Sequence, residues 1–219
     1  CNTHSSFNVP VQMSNLCQEI TLPTRALNHI DDQNGEISLC ILSAINVGKL
    51  SNTEQLEPLC EIAVRALDEL IDYQGYPVKC AERATKARRS LGIGFIGLAH
   101  YLAKNGEHYD DRGALQLVHN LAESFQYYLL KASCKLAEEK GACADYIETK
   151  YYDGFLPIDH YKQEVDDLVK PIYHHDWSEL GELIKKHGLR NSTLTAQMPS
   201  ESSSVVCNAT NGVEPPRDY

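Results

Sequence analysis

Glu36–Gly48 reads "EISLCILSAINVG", and Ser51–Gln74 soon after reads "SNTEQLEPLCEIAVRALDELIDYQ". The first mixes Ile, Leu, Cys and Val over a short span and predicts a buried strand. The second carries Leu56, Leu59, Ala63, Leu67, Leu70 and Ile71 at helical spacing behind a Ser51/Asn52/Thr53 cap region, and predicts a helix. Outward from this pair the alternation continues. Asp110–Gly141 repeats the helical pattern with Leu117, Leu121, Phe125, Tyr128, Leu129, Ala132 and Leu136. Acidic residues stand at its start, and Lys140 precedes the stopping Gly141, as the helix dipole prefers. At roughly 25 residues or more, this helix would cross most of a large domain. Tyr146–Trp177 is polar and aromatic and predicts loops with a short helix. Ser178–Gly188 predicts a short helix capped by Ser178. Asn191–Pro199 reads as a β-prone piece before a Ser-rich turn. Residues 1–50 are otherwise strand- and loop-like, and no internal repeat or low-complexity linker interrupts the chain. Strands alternating with helices set the fold class as α/β.

The 219 residues can bury a real core, and 42% hydrophobic with 23% charged residues is ordinary for a globular protein. No apolar run approaches the roughly 18 residues that span a bilayer. "CNTHSSFNVP" at the start carries no secretory signal pattern. The net charge of −10 without a basic stripe argues against nucleic-acid binding. Eight cysteines are scattered without a CxxC pair, which points to free thiols in a reducing compartment, hence cytoplasmic, rather than to zinc or a disulfide scaffold. His174–His175 and the other histidines have no metal spacing such as HExxH, so no metal site is expected. The start without Met and the end at "VEPPRDY" read as cuts, and predict a fragment or split subunit.

Three motifs carry chemistry. In Ser14–Ile20, "SNLCQEI", Asn15, Cys17 and Glu19 stand two residues apart. On a helix Cys17 would face away from the other two, whereas on an extended segment all three share a face and span roughly 13 Å, the size of a sugar. The bland reading is an edge strand with a solvated polar face. A free thiol in that row argues against it, because cysteine prefers burial, and a thiol beside an amide and a carboxylate is a reactive set. "GIGFIG", Gly92–Gly97, matches GxGxxG, yet "ATKARRSL" precedes it and no acidic strand end follows about 20 residues on. Close strand–helix packing by small residues is the preferred reading. In "MPSESSS", Met198–Ser204, hydroxyls and N–H groups crowd where a helix begins, which suits a phosphate as well as a plain cap. Glu201 is the awkward member.

Taken together, "SNLCQEI", "ISLCILSAIN", "RRSLGIGFIG", "QYYLLKAS", "GLRNSTLTAQMPSESSS" and "NATNGVEPPR" resemble, in order, the class I ribonucleotide reductase large (catalytic) subunit. The resemblance runs from Cys1 to Tyr219 and is looser over 144–177. It implies that 1–219 is part of a ten-stranded α/β barrel of two five-stranded halves, with Cys17 on a finger loop through its centre. Cys17 would be the thiol oxidised to a thiyl radical by a small subunit carrying a di-metal/tyrosyl radical cofactor. That radical would take hydrogen from the 3′ carbon of a ribonucleoside diphosphate. Glu19 would accept the 3′-hydroxyl proton, and Asn15 would orient the sugar hydroxyls. Cys40 matches one member of the dithiol that supplies two electrons as the 2′-hydroxyl leaves as water. Ser200, Glu201, Ser202 and Ser203 correspond to the loop holding the diphosphate, with the main chain of Glu201 facing the anion.

The resemblance also implies what lies elsewhere. The partner of Cys40 and the allosteric, ATP-binding nucleotide regions would precede Cys1, and radical-relay tyrosines and a re-reducing cysteine pair would follow Tyr219. No cofactor is expected in this chain itself. Thioredoxin or glutaredoxin would be the external reductant, the large subunit would form a homodimer, and the isolated polypeptide would be inactive without its missing segments. Two readings of other classes compete. One is a hydrolase or acyltransferase with Cys17 as nucleophile and His29 or His100 brought beside it. The other is a nucleotide-binding fragment without catalysis.

Overall fold

The computed structural model describes residues 6–167 and 170–216. Its centre is a parallel pair of strands, β1 (Ile41–Asn46) and β2 (Leu91–Ile96), in register from Ile41 opposite Leu91 to Asn46 opposite Ile96. Parallel neighbours require a long crossover, and here it holds two helices, α1 (Leu56–Tyr73) and α2 (Lys79–Arg88). A third segment lies along the other edge of β2. Thr195 bridges Ile93 in parallel sense, and the amides of Leu91 and Ile93 donate to the carbonyls of Thr193 and Leu194 at 2.9 and 2.8 Å. All six residues of β2 are therefore buried, whereas β1 is half-covered and leaves Leu42 exposed. The buried strand anticipated at Glu36–Gly48 is thus shorter and less covered than its apolar content suggests.

After β2 come α3 (Leu98–Lys104), α4 (Arg112–Lys140), α5 (Trp177–His187) and α6 (Glu201–Val206). The 29 residues of α4 extend about 43 Å. It packs against α1 with both helices running the same way, as its ion pairs show. Lys131 reaches Glu57 at 2.6 Å, Lys135 reaches Glu61 at 2.8 Å and Arg65 reaches Glu139 at 2.5 Å, each pair one turn beyond the last. Between them lies the core: Leu56, Cys60, Val64, Leu67 and Ile71 of α1 meet Leu121, Phe125, Leu129 and Leu136 of α4. Leu59 and Leu70, expected on that face, stay 39% and 43% exposed, because the buried stripe runs through Cys60 and Val64 instead.

Local chemistry sets the helix ends. Asn52 accepts from the amide of Gln55, whose side chain accepts from the amide of Ser51, a reciprocal cap ahead of α1. α5 is capped by Asp176, not Ser178, through a 2.8 Å bond from the amide of Glu179. A carboxylate two residues earlier satisfies the first-turn amides better than a serine already inside the helix. Tyr146–Trp177 forms turns and short 3-10 segments among the described residues, with Leu168 and Val169 outside them. No helix of the described residues is long and apolar enough to cross a membrane.

Gly92 and Gly94 of GIGFIG belong to the strand itself. Side chains of Ile93 and Phe95 point to the helices, where Phe95 meets Phe125 edge-to-face at 5.4 Å. Gly92 and Gly94 point the other way, and a Cβ on Gly92 would lie 2.5 Å from Leu42 and 3.1 Å from Ala196. Their smallness lets neighbouring strand segments close up, not a helix or a dinucleotide. Gly97, at φ 83°, makes the left-handed turn into α3.

Candidate active site

The stretch Ser14–Ile20 is not extended. The carbonyl of Asn15 accepts from the amide of Gln18 at 3.1 Å, its side-chain oxygen accepts from the amide of Ile20 at 3.2 Å, and Gln18 sits at φ 63°. A short amide side chain that satisfies nearby main-chain donors competes with strand pairing and wins here. The result is a turn with Leu16 and Cys17 at its tip. Leu16 is 96% exposed and the Cys17 thiol is exposed, so the three polar groups do not share one face.

Past the turn, Glu19 enters a cavity of about 590 Å³. Its walls come from the 18–22 segment, Ile93 and Phe95 of β2, Phe125 and Gln126 of α4, and 193–197. One carboxylate oxygen of Glu19, Oε2, is buried without a hydrogen-bond partner among the described residues. Such an acceptor is costly to leave unmet, and it is positioned to take a proton or a hydroxyl donor. Sequence reasoning did not identify the polar groups that share this cavity. Thr195 donates to Gln126 at 3.1 Å, and Gln197 pairs with the main chain of Phe95 in both directions, at 2.8 and 3.2 Å. Gln126 had a signal: it is the polar residue inside the apolar run "FQYYLL".

Cys40 stands just before β1, its sulfur 3.3 Å from where a Gly92 Cβ would lie. Burial first, and the Glu19 charge second, push its thiol up to about 11. The Glu19 carboxylate is therefore near enough to be felt at Cys40, and Cys40 is held as the neutral thiol at pH 7. Cys40 itself is not among the residues that line the Glu19 cavity. Cys17, at the exposed tip, and Asn15, at the turn's start, do not line the cavity that Glu19 enters.

Ser200–Ser203 begins the six-residue α6. The amide of Ser200 donates to Asn211 at 2.8 Å, while the hydroxyls of Ser200 and Ser203 donate to the carbonyls of Met198 and Ser200. Glu201, Ser202 and Ser203 are exposed, and none of the four lines the Glu19 cavity. Neither histidine of the hydrolase reading reaches that cavity: His29 closes a turn with Asp32, and His100 packs on Gly48. No cluster of three or more His, Cys, Asp or Glu residues that could hold a metal occurs among the described residues.

Residues 1–219, the whole chain, match the family model of the ribonucleotide reductase barrel domain. The chain belongs to the ribonucleotide reductase barrel family. Among curated relatives, it is 58% identical over 222 residues to the ribonucleoside-diphosphate reductase subunit alpha of Haemophilus influenzae. It is 56% identical to ribonucleoside-diphosphate reductase 1 subunit alpha of Escherichia coli and 49% identical to the subunit alpha of Enterobacteria phage T4. It is covered over 99–100% of its length by these relatives and spans 28–29% of theirs. Within this ribonucleotide reductase segment, Glu19 keeps one buried oxygen without a hydrogen-bond partner among the described residues, Cys40 is half-buried, and Cys17 is exposed on the turn before Glu19.

Proposed function

We propose that this chain is the catalytic-site portion of a ribonucleoside-diphosphate reductase, reducing ribonucleotides to 2′-deoxyribonucleotides. The observation that carries the proposal is the family match over all 219 residues, with relatives so named at 49–58% identity. In this reading 1–219 forms part of a ten-stranded barrel whose central finger is the loop through Ser14–Ile20. Cys17, at the tip of that loop, is oxidised by long-range electron transfer from a small subunit. That small subunit supplies the one-electron oxidation through its di-metal/tyrosyl radical cofactor.

Cys17, as a thiyl, takes the hydrogen from C3′ and becomes a thiol. Glu19, with Oε2 open in its cavity, accepts the 3′-hydroxyl proton as the 2′-hydroxyl leaves with a proton as water. Asn15 has its oxygen engaged with Ile20 and offers its amide N–H groups to the sugar hydroxyls. The dithiol that includes Cys40 supplies the proton that leaves with the 2′-hydroxyl and the hydrogen that bonds to C2′, with two electrons in all, and ends as a disulfide, while Glu19 returns its proton to O3′. Cys17 returns hydrogen to C3′. Ser200, Glu201, Ser202 and Ser203 form the loop that holds the diphosphate, with the first-turn amides of Glu201, Ser202 and Ser203 turned to the anion. Thioredoxin or glutaredoxin renews the dithiol, and the working enzyme is a cytoplasmic homodimer of large subunits.

The test uses the complete subunit that carries this chain, with its small subunit, and a ribonucleoside diphosphate deuterated at C3′. Turnover with a primary isotope effect is expected. Turnover without any C3′ isotope effect, or no reduction of any ribonucleotide, overturns the proposal.

A further inference from the structure

Arg88 ends α2, is 3% exposed, and belongs to none of the groups assigned chemistry above. Its guanidinium gathers the three strands of chain that deliver the site. Nη1 donates to the carbonyl of Pro23 at 3.2 Å and to Ser38 Oγ at 3.3 Å, and Nη2 donates to Glu36 at 2.7 Å. The Ser38 hydroxyl itself donates to the Pro23 carbonyl. The ring of Phe7 lies 5.8 Å from the guanidinium carbon. Phe7 is the incoming stem of the loop that carries Cys17 and Glu19, Pro23 is its outgoing stem, and Ser38 stands two residues before Cys40.

The anchor on the far side is acidic. Nε lies 3.3 Å from Asp145 without the alignment of a hydrogen bond, and Nη2 lies 4.0 Å from Glu148. The amide of Asn8 donates to the carbonyl of Glu148, and Phe7 bridges Thr149, so the incoming stem is fastened to the same acidic segment. One cation thus faces three carboxylates and a carbonyl. Only the planar fork of an arginine reaches all of these at once; a lysine, with a point charge, serves one direction.

We infer that Arg88 is a positioning residue for this site: its fork sets the stems of the Cys17–Glu19 loop against the approach to Cys40, and so fixes where Glu19 stands relative to Cys40. The inference rests on the reading of Cys17, Glu19 and Cys40 given above. A displacement of about 1 Å between such groups costs up to about 100-fold in rate.

The experiment compares wild type with Arg88→Lys, Ser38→Ala and Glu36→Gln in the complete subunit. Steady-state turnover is read together with peptide-resolved alkylation of Cys40 as a function of pH. Arg88→Lys is expected to fold, to lose about 10–100-fold in kcat with KM within about twofold, and to alkylate Cys40 about tenfold faster at pH 8. Ser38→Ala and Glu36→Gln, which each remove one arm of the clamp, are expected to show smaller losses in the same direction. As a control for stability alone, Val64→Ala in the α1 core is expected to lower the melting temperature while kcat and the Cys40 profile stay at wild-type values. The inference is overturned if folded Arg88→Lys keeps both kcat and the Cys40 profile, or if Ser38→Ala and Glu36→Gln do so where Arg88→Lys does not fold. Failure of wild type to reduce ribonucleotides would refute the functional reading instead, and the Cys40 profile would still decide the clamp.

Discussion

Gly94 faces the carbonyl oxygen of Ala196 so closely that a Cβ at position 94 would stand 2.6 Å from it. Backbone carbonyls in a paired segment cannot step aside cheaply, so Gly94→Ala is expected to cost about 1–3 kcal/mol by overpacking. Gly75→Ala, where a Cβ would meet nothing within 4 Å, should be neutral or slightly stabilising. Chemical denaturation of the two variants separates these outcomes.

That contact explains what was legible in the sequence and what was not. Period and capping placed α1 and α4 correctly, because helical burial is a local pattern read every three to four residues. Which face is buried depends on the partner helix, and so Cys60 and Val64 displaced Leu59 and Leu70. GIGFIG has no alternation to betray a strand, since its glycines are small for the sake of Ala196 and Leu42, about 100 and 50 residues away in the chain. At the site, the types of residue in SNLCQEI announced chemistry. Their geometry did not follow, because Asn15 spends its hydrogen bonds on its own loop and turns the segment at Gln18. Arg88 could not be singled out at all, since its partners at 23, 36, 38 and 145 meet only in three dimensions.

Asp68, fully buried on α1, accepts from Arg89 at 2.6 Å, from Asn191 at 3.1 Å and from Arg190 at 3.3 Å. Arg89 is held at φ 48° by this network. Removing the carboxylate leaves a buried guanidinium with only the outer Asp72 as counter-charge. Asp68→Ala is expected to cost about 3–5 kcal/mol, measured as a shift in denaturation midpoint. A loss under about 1 kcal/mol would show the network to be dispensable.

Glu19→Gln removes the charge that, after burial, raises the Cys40 thiol. The thiolate then becomes easier to form, so the Cys40 titration should move to lower pH, stopping above the ordinary thiol value because burial remains. Iodoacetamide rates at Cys40 across pH 7–11 would show it; an unmoved profile would mean that Glu19 and Cys40 are not coupled.

Asp32 accepts from the amides of Asn28 and Asn34 at 2.9 and 2.8 Å, which holds its carboxyl down at about 2. The folded value lies below that of the unfolded chain, so the stabilisation is fully present above about pH 4 and disappears as pH falls through about 2. The melting-temperature difference between wild type and Asp32→Ala should stay constant from pH 7 to about 4 and narrow towards pH 2.

Cys17→Ser tests the central claim most directly. It exchanges one atom at an exposed turn, leaves the Glu19 cavity untouched, and removes the only group assigned to hydrogen abstraction. Assayed in the complete subunit with its small subunit, the variant should bind ribonucleoside diphosphate as wild type does and form no deoxyribonucleotide. Deoxyribonucleotide formation at anything near the wild-type rate would contradict the account.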